Sequence, residues 1–176
     1  QGLCSQIEWA LMFFRRIAAY LLDCLLAYLA VMLLLQGVIL SPVRLMFGID
    51  DAWFRESWNM ALYVWTTISL PVWLYFIFFE SSFRQATPGK KLLGLKVGKW
   101  PCGKKLTFGR ALLRNGCKLL PWELAHVGVI FPDPLYFEDD PSIRWWTWVG
   151  LGLLLVYVAS LIANAPSRSF YDYVLG

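Results

Sequence analysis

Arg16 and Asp23 stand seven residues apart in an apolar stretch, about two helical turns, so they share one helix face with Tyr20 between them. Asp23 would lie about 10 Å beyond Arg16 along the axis, too far for direct contact within one helix. Each needs a partner elsewhere, and the sequence offers Arg114, Lys118, His126 and the C-terminal segment. A charge at bilayer depth costs roughly 2.5 to 3.5 kcal/mol unless paired or hydrated. Two chemistries fit. One is a structural ion pair that pins two helices. The other is a proton or cation relay in which Asp23 carries the ion and Arg16 adjusts its acidity. Glu123 and His126, three residues apart, can touch across one turn. Histidine is the natural proton switch near neutral pH, so this pair suits either an accessory relay or a structural contact.

Arg110, Arg114 and Lys118 recur every four residues as one basic stripe. Such a stripe suits anchoring against anionic lipid headgroups, each charge being worth about 1 kcal/mol near that surface, or else a partner or anion site. Gly89-Lys90-Lys91 matches part of a phosphate loop but lacks the full GxxxxGK[ST] pattern, which argues against nucleotide binding. No Ser or Cys has a base beside it in a recognisable catalytic pattern, so no catalytic residue is assigned and no enzymatic activity is expected. Cys4, Cys24, Cys102 and Cys117 form no CxxC pair, and one His cannot complete a zinc site with them. The thiols are read as reduced, with no metal and no cofactor expected.

These residues must be positioned by elements that lie in lipid. The chain is 59% hydrophobic and only 16% charged, below the roughly 25% usual in soluble domains. Ten of its sixteen bases fall between Ser81 and Lys118, where there is no acid. Loops on the cytoplasmic side of a membrane are enriched in Lys and Arg, so residues 81–118 read as a basic cytoplasmic segment rather than a nucleic-acid face. Around it the sequence predicts four spans, about 17–35, 60–79, 110–131 and 145–165, preceded by an interfacial amphipathic helix over residues 6–16. Gly37, Ser41 and Pro42 are expected to close the first span, and Pro71 to kink the second, with Thr66, Thr67 or Ser69 meeting the freed groups. Thr87-Pro88-Gly89 reads as a turn, residues 92–106 as a small hairpin with its tip at Trp100–Lys104, and Thr107 as the cap of the third span. That third span carries Glu123, His126 and Pro121; it either crosses or re-enters. Residues 131–144, with four acids and three prolines, favour crossing because they read as an outer loop.

Residues 15–23 (Arg-Arg-Ile-Ala-Ala-Tyr-Leu-Leu-Asp), the block Arg84–Val97 around Thr87-Pro88-Gly89-Lys90-Lys91, and Leu106–Asn115 resemble the RDD family of bacterial membrane proteins. The tail Ser167–Asp172 resembles its closing motif, with Tyr171 where the family often has His. The family takes its name from one arginine and two aspartates. The resemblance implies that Arg16 and Asp23 fill the first two positions and Asp172 the third. It also implies a single membrane domain over residues 1–176 and suggests transport, some members resembling cation/proton antiporters.

The sequence therefore leads to an all-α protein of the bacterial inner membrane with both termini cytoplasmic. The first functional reading is transport of an ion or small solute through Arg16, Asp23, Asp172, Glu123 and His126. The alternative is a non-catalytic accessory or assembly subunit whose charges are structural. Expected partners are the lipid bilayer, anionic headgroups and a homo-oligomer or larger complex, without nucleic acid. Substrate, partner and oligomeric state are not legible.

Overall fold

The computed structural model describes residues 2–98 and 103–163. Every regular element among them is helical. The burial pattern is the reverse of a soluble domain's. Leu33, Leu34, Phe78 and Leu155 are exposed, whereas Asp23, Glu80, Thr87 and Asn115 are completely buried. Apolar side chains outside and polar groups inside are what lipid as solvent demands.

Helix α1, Gly2–Tyr28, continues into a wide π-helical stretch, Leu29–Leu40, and then into α2, Ser41–Met46. The expected interfacial helix and first span are thus one element, and Gly37 and Pro42 do not close it. No proline or glycine interrupts residues 3–36, so nothing breaks the helix near Arg16. Pro42 falls in the first turn of α2, where its missing donor costs least, after a stretch whose hydrogen bonds reach five residues back, as from Ser41 N to Gln36 O. A short α3, Asp51–Arg55, follows, with Asp50 accepting from Trp53 N at 3.2 Å as its cap.

The second apolar helix is α4, Ser57–Val64, a wide turn, Trp65–Ser69, and α5, Leu70–Ser81. Pro71 leaves the Thr67 carbonyl without its helical donor. Gln36 Nε2 approaches that carbonyl at 3.4 Å and the Thr67 hydroxyl at 2.7 Å, while Tyr63 donates to Gln36 Oε1. Thr66 and Thr67 hydroxyls instead back-bond to Leu62 and Tyr63 carbonyls at 2.6 Å.

Helix α6 spans Pro88–Leu92, α7 Phe108–Ile130 and α8 Trp145–Ala163. Thr107 caps α7 as expected, accepting from Arg110 N at 3.4 Å. Pro121 inside α7 frees the Cys117 carbonyl, and the Tyr157 hydroxyl of α8 donates to it at 2.8 Å. Cys24 and Cys117 are free thiols.

The described part of the basic segment holds no strand. Pro88 presets helical φ, Gly-Lys-Lys-Leu continues the turn, and Gly94 at φ +69° ends it. The expected turn is therefore a short helix. Beyond it, residues 95–98 have no regular structure, Val97 N donating to Gln85 O at 2.7 Å and Gln85 Nε2 to Val97 O and Gly103 O. Residues 99–102, most of the expected hairpin tip, lie outside the described residues.

Among the described residues, three helical stretches are long and apolar enough to cross a membrane: Ala10–Met46, Ser57–Ser81 and Trp145–Ala163. Helix α7 is not among them, since Arg110, Arg114, Lys118 and Glu123 interrupt it. The chain divides into two compact units, one of residues 1–26, 74–118 and 154–176, the other of 27–73 and 119–153. In the first, Ala19, Phe76, Ala86, Leu106 and Ala111 are buried; in the second, Val31, Phe54, Ala61, Leu119 and Ile130.

Candidate functional site

The first unit places Thr87, Gly89, Lys90, Arg114 and Asn115 on two buried carboxylates. On α1, Ala19 and Asp23 turn inward with the four-residue spacing of one helix face, and both are completely buried. The small Ala19 leaves room for the chain of α6. Thr87 is extended at the N-terminal cap of α6, with Pro88 behind it, so the Gly89 amide is one of the orphan donors of the first turn. Thr87 makes no side-chain cap bond to its own helix. Asp23 does the capping from another helix instead.

Its Oδ1 accepts from Gly89 N at 2.8 Å and from the Tyr75 hydroxyl at 2.9 Å, and its Oδ2 accepts from the Thr87 hydroxyl. A carboxylate at a helix N-terminus is also favoured by the backbone dipoles. Only glycine fits here: a Cβ on residue 89 would stand 2.5 Å from Ala19 O and 2.8 Å from Asp23 Oδ1. Among the described residues Asp23 is met by three neutral donors rather than by the expected cation. They satisfy a carboxylate without adding a second buried charge.

Glu80, completely buried near the end of α5, is the second carboxylate. Lys90 donates to its Oε1; Arg114 Nη1 and Asn115 Nδ2 donate to its Oε2 at 2.5 and 2.9 Å. Lys118 Nζ stands 4.0 Å from Oε1 and lies over the Phe76 ring, 3.4 Å from its centroid, with Tyr20 at 5.0 Å. That nitrogen has no hydrogen-bond acceptor among the described residues, so aromatic faces carry part of its charge. Burial presses the Lys90 ammonium below its ordinary value, and the attraction of Glu80 opposes the shift.

The basic stripe is therefore not one surface. Arg114 and Lys118 turn toward Glu80, whereas Arg110 stays exposed. Lys90 and Lys91 separate likewise, Lys90 inward and Lys91 outward. Sequence reasoning did not single out Glu80. The available signal was its isolation: it is the last acid before 38 residues that hold ten bases. Arg16 is half-buried on α1, and Asp172 lies outside the described residues.

Glu123 and His126 lie in the second unit. They approach across one turn of α7, 3.8 Å between Oε2 and Nδ1. Glu123 also accepts from the Ser69 hydroxyl at 3.0 Å and the Trp73 indole at 2.9 Å. No cluster of three metal-ligating side chains occurs among the described residues.

No curated protein and no solved structure matches this chain. The RDD family profile matches residues 12–176, a range that includes Asp23, Tyr75, Glu80, residues 87–90 and residues 114–118. The chain is a multi-pass membrane protein that belongs to the RDD family.

Proposed function

We propose that this protein is a non-catalytic accessory or assembly subunit of a larger complex in the bacterial cytoplasmic membrane, with lipid and protein rather than nucleic acid as partners. Its motif charges form a clasp that holds the basic segment against the membrane helices. The supporting observation is the saturation of Asp23, whose completely buried carboxylate accepts from Tyr75, Thr87 and Gly89. A carrier must release such partners each time it exchanges an ion, and each charge-assisted bond resists that by roughly 1.5 to 3 kcal/mol.

The reading includes four crossings with both ends cytoplasmic. Helix α7 has 23 residues, about 34 Å, enough to span. Two of the charges that lower its hydropathy, Arg114 and Lys118, are offset by Glu80. Extraction in a mild detergent followed by native mass measurement tests the role. A discrete complex with other subunits, and no ion flux from the isolated chain in liposomes, is expected. Proton or cation flux by the isolated chain that vanishes in Asp23→Asn would overturn it.

A second reading, transport of an ion or small solute, draws on the Glu123–His126 pair with Ser69 and Trp73 around it. Here a titratable pair sits among apolar helices, where polar groups commonly mark ion paths. Liposome flux sensitive to Glu123→Gln but not to Asp23→Asn would select it.

A further inference from the structure

The clasp sorts the basic segment into two classes. Of the ten bases between residues 81 and 118, Lys90, Arg114 and Lys118 are drawn to Glu80, and Lys99 lies outside the described residues. The other six, Arg84, Lys91, Lys96, Lys104, Lys105 and Arg110, are all exposed, and none has an acid within ion-pair distance among the described residues. Interleaved with them are Phe83, 82% exposed and beneath the Arg84 guanidinium, together with Leu92 at 74% and Phe108 at 61%. The segment offers no acid of its own to neutralise these bases.

We propose that these six bases and three apolar side chains form a docking surface for anionic phospholipid headgroups. Charge complementarity is the first argument: six unneutralised cations suit phosphate, and each attracts an anionic surface. The mixture with exposed Phe and Leu is the second. A ring and aliphatic side chains beside cations suit an interface with a wet headgroup layer and an apolar layer beneath. The third is tethering. Gly89 and Thr87 are bonded to Asp23, and Lys90 to Glu80, and both acids belong to helices long and apolar enough to cross a membrane. The segment is held where the headgroups are. The surface deepens the accessory reading and rests on its placement of this segment at the cytoplasmic face.

The test uses the purified full chain in phosphatidylcholine bilayers with trace spin-labelled phosphatidylglycerol or phosphatidylcholine. The motionally restricted fraction gives the relative association of the two lipids. Phosphatidylglycerol should be favoured about threefold or more, consistent with several bases acting together. The preference should fall toward unity as salt rises from about 0.1 to 1 M, where the Debye length shrinks from about 10 to about 3 Å. It should also fall toward unity when all six bases become Gln. If that variant does not fold, Arg84→Gln with Lys91→Gln and Lys96→Gln should lose about half the preference. Equal association of both lipids with the wild type, or a preference unchanged by the substitutions, overturns the proposal. So does loss of a co-purifying acidic protein in the variant while lipid preference persists. Because the measurement needs no partner, the lipid surface stands or falls separately from the search for a complex.

Discussion

At Gly89 the difference between one hydrogen and one methyl decides whether the motif can dock. A Cβ there meets a backbone oxygen of α1 at 2.5 Å, and that oxygen cannot move without bending the helix. Gly89→Ala should therefore lower stability in a detergent unfolding titration by about 2 kcal/mol or more, in the range of overpacked sites. Gly109, at the start of α7, has nothing within 4 Å of an added Cβ. Gly109→Ala should be neutral or gain up to about 1 kcal/mol from helix propensity. Equal losses for the two would show that contact with Ala19 and Asp23 is not what selects glycine. Glu80 gives a second contrast. Glu80→Gln leaves Lys90, Arg114 and Lys118 without their shared anion, a change that costs about 3 to 5 kcal/mol at buried pairs. Lys118→Met removes a cation that rests on rings, keeps the side chain's bulk, and should cost less than about 1 kcal/mol by the same unfolding measurement. Asp23 was legible as a buried charge because an acid in an apolar run has to be met. Its partners were not legible: a tyrosine, a threonine and a glycine amide are common groups, 52 to 66 residues away.

Pro71 and Pro121 each free a carbonyl that a side chain from another helix approaches, and this is where packing overrides the local pattern. Pro71 orphans Thr67 O and Gln36 approaches it; Pro121 orphans Cys117 O and Tyr157 reaches it. Tyr157→Phe should cost about 1 kcal/mol, the usual scale for a hydrogen bond between membrane helices. Pro121→Ala restores an amide at the right place in α7. In the Pro121→Ala background, then, the Tyr157→Phe loss should shrink by half or more. A double-mutant cycle with no coupling would break this account. Apolar run length revealed the helices, and Thr107 marked the start of α7. The sequence did not reveal that α1 runs on past Gly37 and Pro42, since wider turns absorb residues that ordinarily end a helix. Nor did it reveal α6, where Thr87-Pro88-Gly89 read as a turn; Pro88 before Gly-Lys-Lys starts a short helix instead, and Gly94 ends it.

For the molecule as a whole, burial of acids and exposure of leucines make lipid its natural solvent, as hydropathy and charge placement foretold. The number of crossings turns on α7 alone. With native cysteines removed, Lys91→Cys and Asp140→Cys should react with an impermeant maleimide from opposite faces of intact cells and inverted vesicles. Reaction of both from one face would remove the crossing of α7. The division into two units was not legible, because each long helix contributes residues to both and periodicity does not register where contacts cluster. The Asp23 contacts also impose an order on biogenesis. The aspartate is synthesised first, while all three groups that quiet it come from residues 75 to 89. A nascent chain that ends before Tyr75 holds this acid without any of its three donors, so the helix that carries it is completed only by downstream sequence.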